Sequence, residues 1–232
     1  MADNIKTIKS FDDFCIALRF VGFSMGGGND EGIFSLSKFY SSDLKGFSGE
    51  IDVDPWEWRI RVLQECDDIA YSKLFFNKTG FITKEWYKYF YVLRRKYRSI
   101  YDAYNDGTVN KYSKKIYEII ENNGRVAFHN IKYLCGFDKS ENGKIEKAIT
   151  ELQMKMYITM CGNEKKRSLK GEEYGWPSAV FCKCEDIFEK QYFENAFEIP
   201  KEEAFEKIKT QILRLNPKAD NKNINKFIYK AL

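Results

Sequence analysis

Four basic side chains stand almost together at Arg94, Arg95, Lys96 and Arg98, interleaved with Tyr91, Tyr97 and Tyr101. Cations of this kind neutralise phosphates, and tyrosine rings stack on bases or support guanidinium planes. Consecutive helical residues point in different directions, so only Arg94 and Arg98, four apart, share a face. A second basic group, Lys165, Lys166, Arg167 and Lys170, comes just before Glu172 and Glu173. It reads as a loop tip that grips a nucleic-acid backbone without reading sequence. Lys73 and Lys78 flank a hairpin turn in Tyr-Ser-Lys-Leu-Phe-Phe-Asn-Lys-Thr-Gly. Lys144, Lys147 and Lys155 lie on an outward helix face that also carries Glu146 and Glu151, whose charges oppose a phosphate. Each group has an ordinary reading as a solvated surface.

Side chains fit for bond-making chemistry are sparser. Asp52, Asp54, Glu57, Asp67 and Asp68 are close in sequence, and paired acids do general acid and base work. Asp54, however, precedes Pro55 as a helix cap does, and Asp67-Asp68 reads as a solvated helix end. Cys182 and Cys184 place two sulfurs on one strand face and Cys161 lies on the paired strand, but zinc needs four ligands and no Cys-x-x-Cys occurs. His129 is the single histidine and reads as a packed or surface residue. Gly26-Gly27-Gly28 follows a helix and lacks the Gly-Lys-Ser/Thr ending of a phosphate loop, so it reads as a connector. No catalytic residue, metal or cofactor is called for.

The elements that must position the cations are legible in outline. Ser10 caps a helix to about Phe23, a small segment follows around Phe34 to Tyr40, and Asp54-Pro55 starts a helix to about Cys66. Ala70 to Asn77 reads as a strand, Asn77 to Gly80 as its turn and Phe81-Ile82 as the return. Thr83 caps a helix extended to about Tyr104. Lys111 to Asn123 is an amphipathic helix closed by Gly124. Arg125-Val126 is a short strand, Phe128 to Leu134 a second helix, Gly136 to Gly143 a turn and Lys144 to Met156 a third helix. Tyr157 to Cys161 and Ala179 to Cys184 alternate like paired strands around a loop from Asn163 to Pro177. That order is the layout of a winged helix-turn-helix, whose third helix faces a DNA groove. Lys201 to Arg214 and Asn221 to Ala231 are two tail helices.

Composition sets bounds. Net charge is +4, from 38 basic and 34 acidic side chains, which permits nucleic-acid binding without demanding it. With 19 Phe, 15 Tyr and 4 Trp among 232 residues, the chain can fill a packed interior, and disorder is excluded over most of it. Met1 to Ser10 has no apolar leader region, and no run of about 18 apolar residues suggests a membrane span. Six scattered cysteines fit free thiols in a cytoplasmic protein.

Three stretches resemble a known family: Asp54-Pro-Trp-Glu-Trp-Arg59, then Ala70-Tyr-Ser-Lys-Leu-Phe75 with Lys78-Thr-Gly-Phe-Ile-Thr-Lys-Glu-Trp86, then Arg94-Arg95. With the winged-helix layout and Gly175-Trp176-Pro177 they resemble the AlkZ-related proteins of bacteria, over roughly Phe11 to Phe188. The resemblance implies a winged-helix protein distantly similar to AlkZ-type DNA glycosylases, which set tandem winged helices around a DNA channel and position water with a Gln-x-Gln motif. Here the glutamines are Gln64, Gln153, Gln191 and Gln211, no two separated by one residue, so no catalytic residue carries over.

The expectation is therefore an α+β, mostly helical protein. It has an N-terminal α+β portion (1–108), a winged-helix domain (109–190) and C-terminal helices (191–232). DNA is the expected partner, held through phosphates by Lys73, Lys78, Arg94, Arg95, Lys166 and Arg167 and read by Lys144 and Lys147. One alternative is a base-excision enzyme with a pocket lined by Trp56, Trp58, Tyr71 and Trp86. Another is a protein-interaction module.

Overall fold

The computed structural model describes residues 5–28, 31–95 and 98–229. Helix α1 (Phe11–Val21) begins as expected, with Ser10 Oγ accepting from the Asp13 N–H. Strand β1 (Phe23–Met25) follows at once and is absent from the sequence reading, because three consecutive buried residues show no alternation. The expected segment near Phe34 is a 3-10 turn at Leu36–Phe39. Helix α2 (Pro55–Glu65) starts at Asp54, whose carboxylate accepts the Trp56 N–H at 2.8 Å.

Strands β2 (Ile69–Phe75) and β3 (Lys78–Thr83) form the expected hairpin, but its turn is Phe76-Asn77, both at positive φ (52° and 63°), rather than Asn77 to Gly80. Gly80 sits inside β3 because a Cβ there would come within 2.4 Å of the Phe75 ring and 2.9 Å of the Ser24 carbonyl. Pairing of β1 with β3 completes an antiparallel sheet in the order β1-β3-β2. Thr83 ends β3 instead of capping a helix, and its hydroxyl has no partner among the described residues.

Helix α3 (Lys84–Arg95) stops well short of Tyr104. Lys96 and Tyr97 lie outside the described residues. A new helix, α4 (Ile100–Asn105), starts at Ser99, which exchanges hydrogen bonds with Asp102 in a capping box.

The second half follows the expected order: α5 (Lys111–Asn123), β4 (Val126–Ala127), α6 (Phe128–Cys135), α7 (Asn142–Met154), β5 (Ile158–Arg167) and β6 (Glu173–Lys183). Its antiparallel sheet runs β4-β6-β5. The expected loop from Asn163 to Pro177 is mostly strand: the two arms keep pairing out to Arg167 and Glu173, and only 168–172 turns. The tail holds three helices rather than two, α8 (Lys190–Ala196), α9 (Lys201–Leu215) and α10 (Asn221–Tyr229); the expected end of the last, at Ala231, lies outside the described residues.

The protein is thus α+β, about half helical, with two small antiparallel sheets. One continuous apolar core runs from Ile8 to Ile228. Aromatic contacts knit it: Phe75 of β2 stacks on Phe227 of α10 at 3.9 Å between ring centroids, and both meet Phe90 of α3. The outer edge of β2 would be open to pairing, but α7 covers it, with Gln153 Oε1 accepting the Lys73 N–H at 3.0 Å and Ser72 Oγ at 2.7 Å. Among the described residues no helix is long and apolar enough to cross a membrane.

Candidate nucleic-acid interface

The β5–β6 hairpin projects Lys165, Lys166, Arg167 and Lys170, all exposed. Between the pairs Glu164↔Ser178 and Lys166↔Tyr174, two residues of β5 advance against four of β6. The surplus is taken up by Gly175-Trp176-Pro177, with Gly175 at φ 73°, so that Trp176 is thrown outward and is 92% exposed. Tyr174 and the turn residue Leu169 are exposed beside it. The turn itself is closed by the Ser168 N–H to the Glu172 carbonyl at 2.8 Å. Acids temper this charge: Glu173 lies 3.6 Å from Arg167 and 4.0 Å from Lys165. The sequence reading used Trp176 only within Gly175-Trp176-Pro177 and did not single out Tyr174, Trp176 or Leu169 as surface residues of the hairpin. The signal was the Gly-Trp-Pro step, which is a bulge sequence, hidden within what read as a loop.

Helix α7 carries Lys147 on its exposed face and Lys144, whose Nζ reaches the Tyr112 hydroxyl at 3.3 Å. Lys155 is not free to meet phosphate, because Glu151 holds it at 2.7 Å. Glu151 also accepts from Ser113 Oγ at 2.5 Å, so one acid expected on this face is turned to holding α5 and α7 together. Lys73, at the edge of β2, points Nζ at Thr150 Oγ1 of α7, 3.3 Å away, which joins it to the Lys147 surface. Lys78 pairs with Glu31 at 2.7 Å.

Arg94 and Arg95 are corrections. Arg94 is buried, and its guanidinium donates to four backbone carbonyls: Leu74 at 2.6 Å, Phe227 at 2.7 Å, Ile228 at 3.0 Å and Met154 at 3.3 Å. Those carbonyls belong to β2, the end of α7 and the last turn of α10, three elements that the one side chain ties together. Burial pushes its pKa down to about 9, which leaves it charged at neutral pH. Arg95 is also buried, against the Tyr157 ring at 4.0 Å and the Glu185 carboxylate at 2.9 Å. Burial works against its charge, and Glu185 opposes that and holds it protonated. Neither side chain is at the surface to meet a phosphate, so Arg94 and Arg95 leave the expected basic block. Arg98, half-buried, is paired with Asp106.

The four expected pocket residues do not share one cavity. Trp58 is wholly buried, its indole N–H donating to the Asp52 carbonyl at 3.2 Å. Trp86 faces a cavity of about 530 Å³ with Arg19 and Arg214. Trp56 and Tyr71 do meet, in a cavity of about 210 Å³ shared with Tyr40, Phe47, Arg59 and Phe81. The acids are occupied structurally: Asp52 pairs with Arg61 at 2.8 Å and Asp68 with Arg19 at 2.7 Å. His129 Nδ1 lies 2.6 Å from Ser178 Oγ and packs against β6. Gln153 is committed to β2, and Gln211 donates to the Val21 carbonyl at 2.7 Å.

No curated protein and no solved structure matches this chain. The model of one family, described as AlkZ related, matches residues 8–229, which takes in every strand and helix given above among the described residues. The chain belongs to the AlkZ-related family.

Proposed function

We propose that the protein binds duplex DNA, with residues 109–190 acting as a winged-helix unit. In this reading α7 faces the groove and the β5–β6 hairpin is the wing. The order α5-β4-α6-α7-β5-β6 and the sheet order β4-β6-β5 support it. So does the relation to AlkZ-type glycosylases, which work on DNA. Phosphate contacts fall to Lys73, Lys166, Arg167 and the hairpin-tip Lys170, with Lys144 and Lys147 on the groove-facing helix.

The observation that carries the reading is the tip of the hairpin. Trp176, 92% exposed, contributes little to the core, and it stands with Tyr174 and Leu169 on a hairpin arm that carries four cations and the acids Glu164, Glu172 and Glu173. Apolar and aromatic wedges flanked by cations are how proteins enter or distort a duplex. A protein-binding surface would use the same apolar tip but would not need the cations.

Fluorescence anisotropy with a labelled duplex tests this. Trp176→Ala should weaken binding about tenfold, within the ~1–3 kcal/mol of one aromatic–base contact. The double variant Lys166→Ala/Arg167→Ala should flatten the salt dependence by about two units. Wild-type affinity in both variants overturns the proposal. No duplex binding by the wild type, even at low salt, overturns the proposal and leaves the hairpin to a protein partner.

A further inference from the structure

We infer that the cavity between Phe47, Trp56 and Tyr71 is a stacking subsite for a single unpaired nucleobase. The inference rests on the DNA-binding reading above. At about 210 Å³ the cavity is smaller than the roughly 300 Å³ at which drug-sized pockets begin, so it suits one ring system. Its inner wall is Tyr40, Tyr71 and Phe81. Its rim is Phe47 and Trp56, whose rings lie 4.6 Å apart and which are 76% and 42% exposed.

That rim is built rather than incidental. Phe47 adopts φ 63°, an unfavourable conformation for a bulky side chain. The buried Asp54 carboxylate holds it there, accepting from the N–H groups of Phe47 at 3.0 Å, Gly49 at 3.1 Å and Trp56 at 2.8 Å. One buried acid thus fixes both aromatic rings at the surface.

The charges around the cavity choose the occupant. The Arg59 guanidinium lies 3.2 Å from the Trp56 ring centroid. It already covers one face of Trp56, so neither a cation nor a base stacks on that face; the base is left to Phe47 and Tyr71, and the guanidinium charge to a phosphate. Thr79, on the cavity wall, is directly opposite Lys73 in the β2–β3 register, and Lys73 reaches α7 through Thr150. The subsite therefore adjoins the cations of the proposed DNA surface. Tyr40 and Tyr71 bring two phenol rings to the cavity wall, each an apolar face with a hydroxyl able to donate or accept. A base stacked inside a duplex cannot enter; the occupant must be extrahelical or single-stranded.

Deoxyadenosine 5′-monophosphate is the probe, followed by tryptophan fluorescence and compared with anisotropy on an intact duplex. The wild type should give saturable quenching. Phe47→Ala and Arg59→Gln, both surface changes, should each weaken nucleotide binding about tenfold. Trp176→Ala should leave nucleotide affinity unchanged while weakening duplex binding about tenfold. Absence of saturable binding to the wild type, or equal affinity in Phe47→Ala, overturns the subsite. Nucleotide binding without any duplex binding supports the subsite and overturns the DNA-binding reading instead.

Discussion

Replacing Arg94 by Met separates the structural role of this residue from the phosphate contact that its sequence neighbourhood suggests. Methionine nearly conserves the volume but removes the donors to Leu74, Met154, Phe227 and Ile228. A hydrogen bond from a charged donor is worth roughly 1.5–3 kcal/mol, and such bonds do not add when they share one group. Removal of one member of a buried charged network typically costs about 3–5 kcal/mol. Set against a total stability of about 5–15 kcal/mol, that is a large fraction. With a urea slope of about 2–3 kcal/mol/M, the unfolding midpoint should fall by about 1–2 M with little change in slope. Arg94→Lys should lie nearer Met than wild type, because an ammonium lacks the planar fork that reaches four carbonyls. In both variants the folded fraction should bind a duplex as tightly as wild type. A Met variant within about 1 kcal/mol of wild type would refute the reasoning. So would a fully folded variant that has lost DNA affinity, since the side chain would then be at the surface.

Two further outcomes follow from the geometry. Burial acts to raise the Asp54 pKa, but the N–H groups of Gly49, Trp56 and Phe47 overcome it and hold the carboxyl below its ordinary value. A depressed folded pKa gives stability that is present above the unfolded value of about 3.9 and lost as pH falls through the folded one. Urea midpoints of wild type and Asp54→Asn should therefore differ at neutral pH and converge in acid below that range; a gap that does not shrink contradicts the hydrogen bonding. The Cys15 and Cys66 sulfurs are 3.8 Å apart, between α1 and the end of α2. Mild oxidation with diamide should link them, as read by non-reducing peptide mapping. The hydrogen bond from Cys15 lowers the Cys66 pKa, so iodoacetamide should modify Cys66 before Cys15; preferential labelling of Cys15 would count against the pair.

Much of the fold is legible in local chemistry. Ser10, Asp54 and Asn110 are helix caps with the side chains that cap residues need, and all three accept backbone N–H groups as caps. The α5–β6 order is readable because each helix there has one apolar stripe and a glycine or turn after it. What escaped was decided by tertiary contact. β1 is buried on all sides and leaves no period. The aromatic stripe of α3 continues past its end, masking the Ser99–Asp102 capping box that restarts the chain. Arg94 and Arg95 look like surface cations by type; only the arrival of α10 and Glu185, more than 80 residues later, buries them. Of the expected pocket, Trp56 and Tyr71 converge because α2 packs against the sheet, whereas Trp58, two residues on, must turn inward. The exposed Trp176 depends on a register mismatch between two strands that neither strand encodes alone.

Duplex affinity of the wild-type protein as a function of salt concentration tests the DNA-binding account most directly. Lys73, Lys144, Lys147, Lys166, Arg167 and Lys170 offer up to six phosphate contacts, and each one made contributes about −0.9 to the slope of log affinity against log salt. Engagement of the hairpin and α7 together predicts a slope of about −3 or steeper. A flat dependence, or no binding even at low salt, contradicts it.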